Sequence, residues 1–351
     1  MSFIHKNIST LRNIGRVIAL AASLICTSAA WAEDAQDCSL KQIASLPITT
    51  TASGKIAVPV KIDGTERLFA VRFGGDVSGV SAEFAAKANM DVSRINKDWL
   101  RNFADDYFTD GETETLEHKV KIPDFQIGAL DAKDLEVGEL PSLPSSAGVI
   151  GVLGTGVLQH FDVEFDFQNE KMNLYAPRKC DAAPVYWANA FAVLPFERND
   201  VTGEISSPLT LDGKTLQVAF STDPGHGQMS VFVATNLLGI AISDPNLKEV
   251  GVQAGSDLQI YHYPFKSLSL NGIAIQDPEI DLITDRPATD SGDCTDIKFR
   301  GGWQAGSGWE KEAKLMCATD LTIKLDELEK LHLYFAFGQN KLYVTAADAH
   351  K

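Results

Sequence analysis

The chain has 351 residues, with 31 Lys and Arg against 47 Asp and Glu and a formal net charge of −16. Such an acidic chain is a poor partner for nucleic acid or for an anionic membrane surface, because both carry negative charge. Its hydrophobic content of 44% is ordinary for a globular protein, and its length suits two domains better than one.

The first 32 residues have the layout of a secretory signal peptide. An apolar run from Val17 to Cys26 follows the basic residues, and small residues follow it up to Ala32; the basic residues are Lys6, Arg12 and Arg16. We predict cleavage after Ala32 and a periplasmic or secreted mature protein. The apolar run is far shorter than the roughly 20 residues of a spanning helix, so we expect no membrane insertion.

Four cysteines remain after this cleavage, namely Cys38, Cys180, Cys294 and Cys317. An even number in an exported chain predicts two disulfides, although four cysteines allow three pairings. We predict Cys38–Cys180, which brackets the first half of the chain, and Cys294–Cys317, which closes a local stretch.

The two halves of the mature chain share three segments in the same order. The matching pairs are 58–64 with 207–213, 125–137 with 268–280, and 165–174 with 335–344. The first pair ends in Asp-Gly after alternating apolar residues, which is a strong hairpin signal. Repetition at this scale predicts two copies of one β-rich unit.

The repeat sets the predicted domain boundaries. We place the first lobe at 45–180, a linker at 181–195, the second lobe at 190–347, and a Gly-, Asp- and Ser-rich insertion near 286–308. Alternating apolar residues predict short strands throughout both lobes. The fold class is therefore all-β with a few short helices, which we predict at 81–89, 233–238 and 326–331.

The motifs of the first lobe have a family likeness. An apolar strand at 68–71 runs into a glycine-rich turn at 72–81, a Thr-Asp-Gly turn follows, and a second glycine-rich run begins at Gly151. This order resembles the bacterial retropepsin-like aspartic proteases, and it implies two tandem acid-protease β-barrel lobes. The resemblance puts Gly111 at a flap tip and assigns the lobe-closing turn to Gly151, Gly154 and Leu158.

The match to the family's Leu-Gly-x-Asp-x-Leu turn is incomplete. Gly156 stands where the family has Asp, and the second lobe shows no clear copy of this turn. A rival interpretation of Gly154 and Gly156 is a dinucleotide-binding Gly-x-Gly-x-x-Gly, but the third position is Gln159 and no βαβ pattern surrounds it. We therefore expect no cofactor.

The catalytic motif of the family, Asp-Thr-Gly, is altered in both lobes. In the first lobe its positions hold Arg72, Phe73 and Gly74. In the second lobe one register gives Ser221, Thr222 and Asp223, and a register shifted by two begins at Asp223. Strand length favours Ser221, and both registers stay open.

Under either register no more than one catalytic carboxylate remains, whereas aspartic proteolysis needs two that share a proton. A lone Asp223 facing Arg72 would have its pKa lowered and would have no proton to donate. We expect Arg72 to pair with an acid such as Asp76 or Asp223, or to bind a ligand carboxylate. His226 and His262 lie near the predicted cleft, and we expect them to be solvated or hydrogen-bonded, with no metal site.

The resemblance predicts a monomeric, catalytically inactive protease homologue that binds extended peptide or polypeptide between its lobes. The Gly111 hairpin and the Gly255-Ser256 turn would cover the cleft. One alternative is an active aspartic endopeptidase that uses Asp223 with a second Asp, unaligned or from another subunit. A third is a structural, envelope-associated β protein.

Overall fold

The computed structural model describes residues 38–95, 106–109, 112–141, 143, 148–178, 180, 182–199, 202–253, 257–284 and 319–349, and only the main chain of 106–109 and 112–115. Contacts join Cys38–Lys351 into one compact unit. Several predicted features lie outside the described residues: the signal peptide, the insertion at 286–308, Cys294, Cys317, Gly111, Gly255 and Ser256.

Short strands make up most of the described chain. In the first half they are β1 Gln42–Pro47, β2 Thr49–Thr50, β3 Ile56–Ile62, β4 Thr65–Arg72, β5 Gly79–Ser81, β6 Asp91–Arg94, β7 Asp106–Thr109, β8 Glu112–Thr115, β9 His118–Ile127, β10 Leu130–Leu140, β11 Val149–Gly154, β12 Asp162–Asp166 and β13 Lys171–Tyr175. In the second half they are β14 Ala192–Pro195, β15 Glu197–Arg198, β16 Ile205–Leu211, β17 Lys214–Phe220, β18 Gly227–Ser230, β19 Lys248–Val252, β20 Gln259–His262, β21 Ser267–Leu270, β22 Ile273–Gln276, β23 Ile280–Ile283, β24 Leu321–Ile323, β25 Leu331–Ala336 and β26 Lys341–Ala346.

Helices in the described part are short, at α1 Ala82–Lys87, α2 Thr155–Leu158, α3 Val231–Leu238 and α4 Leu325–Leu328. Ser81 and Ser230 cap α1 and α3, because each side chain accepts a hydrogen bond from a main-chain N–H in the first turn. The sequence predicts three of these helices and misses α2. Within the described residues, no helix is long and apolar enough to cross a membrane.

Each half of the chain forms one large sheet of its own. The order in the first half is β2-β3-β4-β11-β5-β10-β9-β6, and β3 also pairs with β9, which closes the sheet on itself. The order in the second half is β22-β21-β16-β17-β24-β18-β23-β20-β19. In both sheets the second strand of a hairpin pairs in parallel with a later strand: β4 pairs with β11, and β17 pairs with β24.

The repeated segments occupy equivalent places in the two sheets. Asp63-Gly64 and Asp212-Gly213 are the two-residue loops of equivalent hairpins, and all four residues have positive φ. Asp-Gly suits such loops because both residues tolerate this backbone region at low cost. The long β9–β10 hairpin of the first half corresponds to four shorter strands, β20 to β23, in the second.

A third sheet combines strands from both halves in the order β1-β13-β12-β25-β26-β14. Its central pair is β12 with β25, in which Glu164 lies opposite Tyr334 and Asp166 opposite His332. Residues 192–195, placed in the linker by the sequence, form its edge strand β14. The two lobes therefore share a hydrogen-bonded sheet as well as a connecting segment.

Buried polar groups line one face of this shared sheet. The carboxylate of Glu164, fully buried, accepts hydrogen bonds from Asn173 Nδ2 at 2.7 Å, Tyr175 OH at 2.9 Å and Tyr186 OH at 3.0 Å. His332 Nε2 lies 2.9 Å from its other oxygen. Burial is the main cause that raises the pKa of Tyr175, and the negative charge of Glu164 is the second. This tyrosine therefore keeps its proton and remains a hydrogen-bond donor.

The other face of the shared sheet packs against the turns at the lobe interface. Phe73 places its ring 5.3 Å from Phe165 and 4.4 Å from Phe335, and Phe220 lies 5.5 Å from Phe335. These aromatic rings belong to one continuous hydrophobic core. The predicted disulfide Cys38–Cys180 is confirmed, with Cα atoms 5.8 Å apart, and it ties the start of the first lobe to its end.

Candidate functional site

The two glycine-rich turns meet where the two lobes come into contact. Thr222, buried after β17, donates a hydrogen bond from Oγ1 to Val71 O at 2.8 Å and accepts one there from Phe73 N at 2.9 Å. The main chain of Phe73 in turn accepts from Thr222 N at 3.3 Å. One hydroxyl group from the second lobe therefore holds the main chain on both sides of Arg72.

The turn of the first lobe is held by its own lobe-closing segment. Gly74 N donates to Thr155 Oγ1 at 2.9 Å, and Gly154 N donates to Ser78 Oγ at 2.9 Å. Gly74 has a φ of +93°, and a Cβ built there would lie 2.2 Å from Phe220 O of the other lobe. Only glycine fits this position, both for its backbone and for the close approach.

The predicted lobe-closing residues are tightly packed. A Cβ at Gly151 would lie 2.5 Å from the ring of Phe69, and one at Gly154 would lie 2.4 Å from Val77 O. Leu158 is completely buried in α2. These three positions shape the turn and carry no reactive group.

The corresponding turn of the second lobe is α4 with the residue before it. Lys324 precedes α4 as Gly154 precedes α2, and Leu328 is buried at the end of α4 as Leu158 is in α2. The segment Ile323–Leu328 is therefore the copy of the turn that the sequence comparison missed. Its spacing keeps Asp326 and Leu328 where the Leu-Gly-x-Asp-x-Leu pattern has Asp and its last Leu, but Lys324 replaces Gly and hides the pattern.

Ser221 and Asp223 form a local hydrogen-bonded pair beside Thr222. Ser221 Oγ donates to Asp223 Oδ2 at 3.2 Å and accepts from Asp223 N at 3.1 Å, and both residues are half-buried. The main-chain oxygen of Asp223 accepts from Leu325 N at 3.0 Å, which connects this turn to α4.

Positive charge lies close to both turns. Arg72 is half-buried, and its Nε would be 3.0 Å from a Cβ at Gly75, so its side chain lies across its own turn. Asp76, one of the acids considered as its partner, forms an ion pair with Arg198 at 2.6 Å. In the second lobe burial lowers the pKa of Lys324, while Asp223, Asp281 and Asp326 partly oppose this effect.

His226 lies among three carboxylates at the same end of the second lobe. Its Nδ1 is 3.3 Å from Asp281 Oδ1, and its Nε2 is 3.2 Å from Glu279 Oε2 and 4.0 Å from Asp326 Oδ2. Gly225 N donates to the other oxygen of Asp326 at 3.2 Å. The sequence predicts that His226 is solvated or hydrogen-bonded but gives no sign of these partners, which come from distant segments.

The predicted cover positions lie outside the described residues, but paired strands flank both. Strands β7 and β8 pair with Thr109 opposite Glu112, on either side of Gly111. Strands β19 and β20 pair antiparallel, and Gln253 N donates to Leu258 O at 2.8 Å on either side of Gly255 and Ser256. The described strands on either side of each cover position are therefore antiparallel neighbours.

The sequence matches no protein-family model and no curated protein. Among solved structures, basic 7S globulin from soybean has a TM-score of 0.50 at 9% identity, covering 88% of this chain and 99% of the globulin. The aspartic proteinase from Irpex lacteus has a TM-score of 0.49 at 11% identity, covering 87% of this chain and 97% of that one. A retropepsin-like aspartic protease from Rickettsia conorii covers 39% of this chain and 94% of its own at 17% identity, with a TM-score of 0.28.

The globulin similarity, at so low an identity, shows the fold and no more. That fold agrees with the sheet topology described above, in which two β lobes repeat each other across a shared sheet. The chain thus has a mostly-β, two-lobed fold like that of the globulin.

Proposed function

We propose that the protein is an exported homologue of the aspartic proteases that binds extended peptide between its lobes without hydrolysing it. The observation that carries the proposal is the contact of Thr222 with both neighbours of Arg72. It favours the register in which Ser221, Thr222 and Asp223 correspond to Asp-Thr-Gly. In that register Arg72 and Ser221 occupy the two catalytic positions.

Such a site lacks the chemistry of aspartic proteolysis. The reaction needs one carboxylate to activate water and a second to protonate the substrate carbonyl. An arginine and a serine supply neither group, and Phe73, at the position of the family's Thr, packs into the aromatic core. Ser221 directs its hydroxyl to Asp223, which orients it within its own turn.

Unpaired strand edges support the binding of extended peptide. Within the described residues β7 and β8 pair only with each other, and β19 pairs only with β20. The outer edges of these hairpins offer main-chain N–H and C=O groups, to which an extended peptide adds as a further strand.

The predicted signal peptide and the Cys38–Cys180 disulfide support export, since disulfides are typical of proteins in oxidising compartments. Mass spectrometry of the protein recovered from its host compartment tests this, and we expect an N-terminus at Glu33. A mature protein that starts at Met1 contradicts it. Equilibrium sedimentation is expected to give a monomer.

Peptidase assays on designed variants test the inactive site. We expect the wild type and Arg72→Asp to leave a peptide library intact between pH 2.5 and 7. Arg72→Asp with Ser221→Asp restores a carboxylate pair, and we expect acid-range cleavage that pepstatin inhibits. The matched control is Arg72→Asp with Ser221→Ala, which stays inactive.

Two outcomes contradict this reading of the site. Cleavage by Arg72→Asp alone assigns the second position to Asp223. Pepstatin-sensitive cleavage by the wild type, abolished by Asp223→Asn, establishes the alternative of an active endopeptidase.

Peptide binding has its own test. Peptides retained by the immobilised protein from a proteome digest are resynthesised in two forms, one unmodified and one N-methylated at alternate residues. Strand addition requires main-chain N–H donors, so we expect N-methylation to weaken binding at least tenfold while every side chain is kept. Equal affinity of the two forms, or no retained peptide, contradicts binding at a strand edge.

A further inference from the structure

The sheet topology of the second lobe brings three metal-ligating side chains together. Strands β18 and β23 are parallel neighbours with Gly227 opposite Ile280, so His226 and Glu279 sit side by side just before them. Asp326 belongs to α4, which follows β24, the other neighbour of β18. One ligand atom from each of the three lies within 4.8 Å of the others.

The spacing of these atoms suits a small divalent cation. His226 Nε2 is 3.2 Å from Glu279 Oε2 and 4.0 Å from Asp326 Oδ2. Ligands bound tetrahedrally to Zn²⁺ at about 2.0–2.1 Å lie roughly 3.3 Å from one another. The side chains are 39%, 55% and 41% exposed, so an ion in solvent reaches them.

Neighbouring groups already orient the side chains of His226 and Asp326 and fix the main chain of Glu279. When Nδ1 of His226 carries the proton, it donates a hydrogen bond to Asp281 Oδ1. The lone pair of Nε2 is then directed toward Glu279 and Asp326. Metal-binding histidines have this arrangement, with a carboxylate on the ring nitrogen away from the metal. The main chain of Glu279 donates to buried Glu327 at 2.8 Å, and Gly225 N holds one oxygen of Asp326.

We propose that His226, Glu279 and Asp326 bind a first-row divalent cation, with Zn²⁺ as the best match, and that Asp281 positions the histidine. An imidazole with two carboxylates favours Zn²⁺ and its transition-metal neighbours over Ca²⁺ and Mg²⁺, which prefer ligand sets made of oxygen alone. The site departs from the metal-free expectation drawn from the sequence, because its ligands come from three separate segments.

The first lobe provides an internal comparison. Val152 pairs with Gly79 as Thr322 pairs with Gln228, so Val77 takes the place of His226, and Gly156 lies in α2 as Asp326 lies in α4. Neither offers an imidazole or a carboxylate, so the proposed site belongs to the second lobe alone.

Lys324 gives the proposal a second, electrostatic test. Lys324 immediately precedes α4 and lies two positions before Asp326, so its positive charge opposes a cation bound at Asp326. Replacing it by the uncharged, similarly shaped methionine is expected to strengthen metal binding about tenfold, since a neighbouring like charge is removed.

The experiment uses tag-free protein treated with a chelator and titrated calorimetrically with ZnCl₂. We expect one equivalent to bind, and Co²⁺ in its place to give the intense visible absorption of a tetrahedral site. His226→Gln is expected to reduce the Zn²⁺ affinity at least a hundredfold, and Asp281→Asn by about 10- to 100-fold, as for other groups that orient a metal ligand.

The matched control is His118→Gln in the first lobe, where a histidine also contacts one carboxylate, that of Glu139. We expect it to bind Zn²⁺ as the wild type does. Circular dichroism and urea unfolding without metal confirm that each variant is folded. Failure of the wild type to bind Zn²⁺, or equal affinity in His226→Gln and the wild type, overturns the proposal.

The metal site and the peptide-binding function are independent. The titration involves no peptide and no activity, so either result leaves the Thr222 argument as it stands. Loss of peptide binding likewise leaves the metal titration unchanged.

Discussion

The two copies of the repeated unit differ most where they face each other. In the shared sheet, β12 of the first copy carries Asp162, Glu164 and Asp166, whereas β25 of the second carries His332 and Tyr334 at facing positions. At the turns, the first copy presents the main chain around Arg72, and the second presents the hydroxyl of Thr222 that binds it. In the shared sheet the first copy supplies carboxylate acceptors that the second lacks, whereas at the turns the hydroxyl of Thr222 both donates and accepts.

The largest expected effect comes from removing Glu164, the buried hydrogen-bond acceptor of the shared sheet. Glu164→Ala leaves the buried donors of Asn173 and Tyr175 without their acceptor and should lower the free energy of unfolding by about 4 kcal/mol. Urea unfolding measures it. The surface variant Glu66→Ala should change stability by less than about 0.5 kcal/mol. A loss under about 1 kcal/mol for Glu164→Ala would show that the cluster contributes little.

Gly74→Ala tests the close approach of the two turns. It adds a Cβ at a φ of +93° and against Phe220 O, and we expect a loss of about 3 kcal/mol. Gly213→Ala is the matched control, because its φ of +82° is similar and its Cβ meets nothing within 4 Å. That variant should lose about 1 kcal/mol. Equal losses in the two variants would remove the argument for a steric contact between the lobes.

Thr222→Val separates the hydrogen bonds of the interface from its packing. Valine keeps the shape but leaves Phe73 N and Val71 O unsatisfied in a buried place, so we expect a loss of about 2 kcal/mol. Thr215→Val, on the exposed start of β17, should stay within about 0.5 kcal/mol of the wild type. If Thr222→Val is as stable as the control, the hydroxyl does not hold the lobes together.

The smallest expected effect is a pH dependence of stability that comes from Asp162 in β12. Burial raises the pKa of Asp162, although hydrogen bonds from Gly338 and Arg178 oppose the rise. The folded state therefore favours the protonated carboxyl, and this contribution to stability is present below the unfolded pKa and is lost as the pH rises through the folded value. Compared with Asp162→Asn, the wild type should lose stability from pH 3.5 toward neutral. A constant difference between them would contradict the shift.

Much of the fold follows from local sequence patterns. The Asp-Gly pairs at 63–64 and 212–213 determine two hairpin loops, and alternating apolar residues such as those of β3 determine which face of each strand is buried. The Cys38–Cys180 bond follows from bracketing one repeat. These features depend on neighbours in sequence or on a repeat visible in it.

Features formed by distant residues were not predictable in the same way. The pairing of β12 with β25 and the cluster around His226 depend on which elements the fold brings together. The Ala-rich, Pro-containing composition of 181–195 predicts a linker, so the sequence does not reveal the edge strand at 192–195. The turn at Ile323–Leu328 was missed because Lys324 replaces its glycine, although the Asp-x-Leu spacing was available.

The order of the shared sheet, β1-β13-β12-β25-β26-β14, is that of an isologous contact between two identical subunits, with the symmetry axis between β12 and β25. In a homodimer every substitution appears on both sides of the axis. A carboxylate introduced at a position on the axis would therefore face its own copy, as Glu164 would if Tyr334 opposite it were also Glu. Joining the copies in one chain removes that restriction and makes their association independent of concentration. The fused arrangement is what allows an arginine on one side of the axis and a serine on the other.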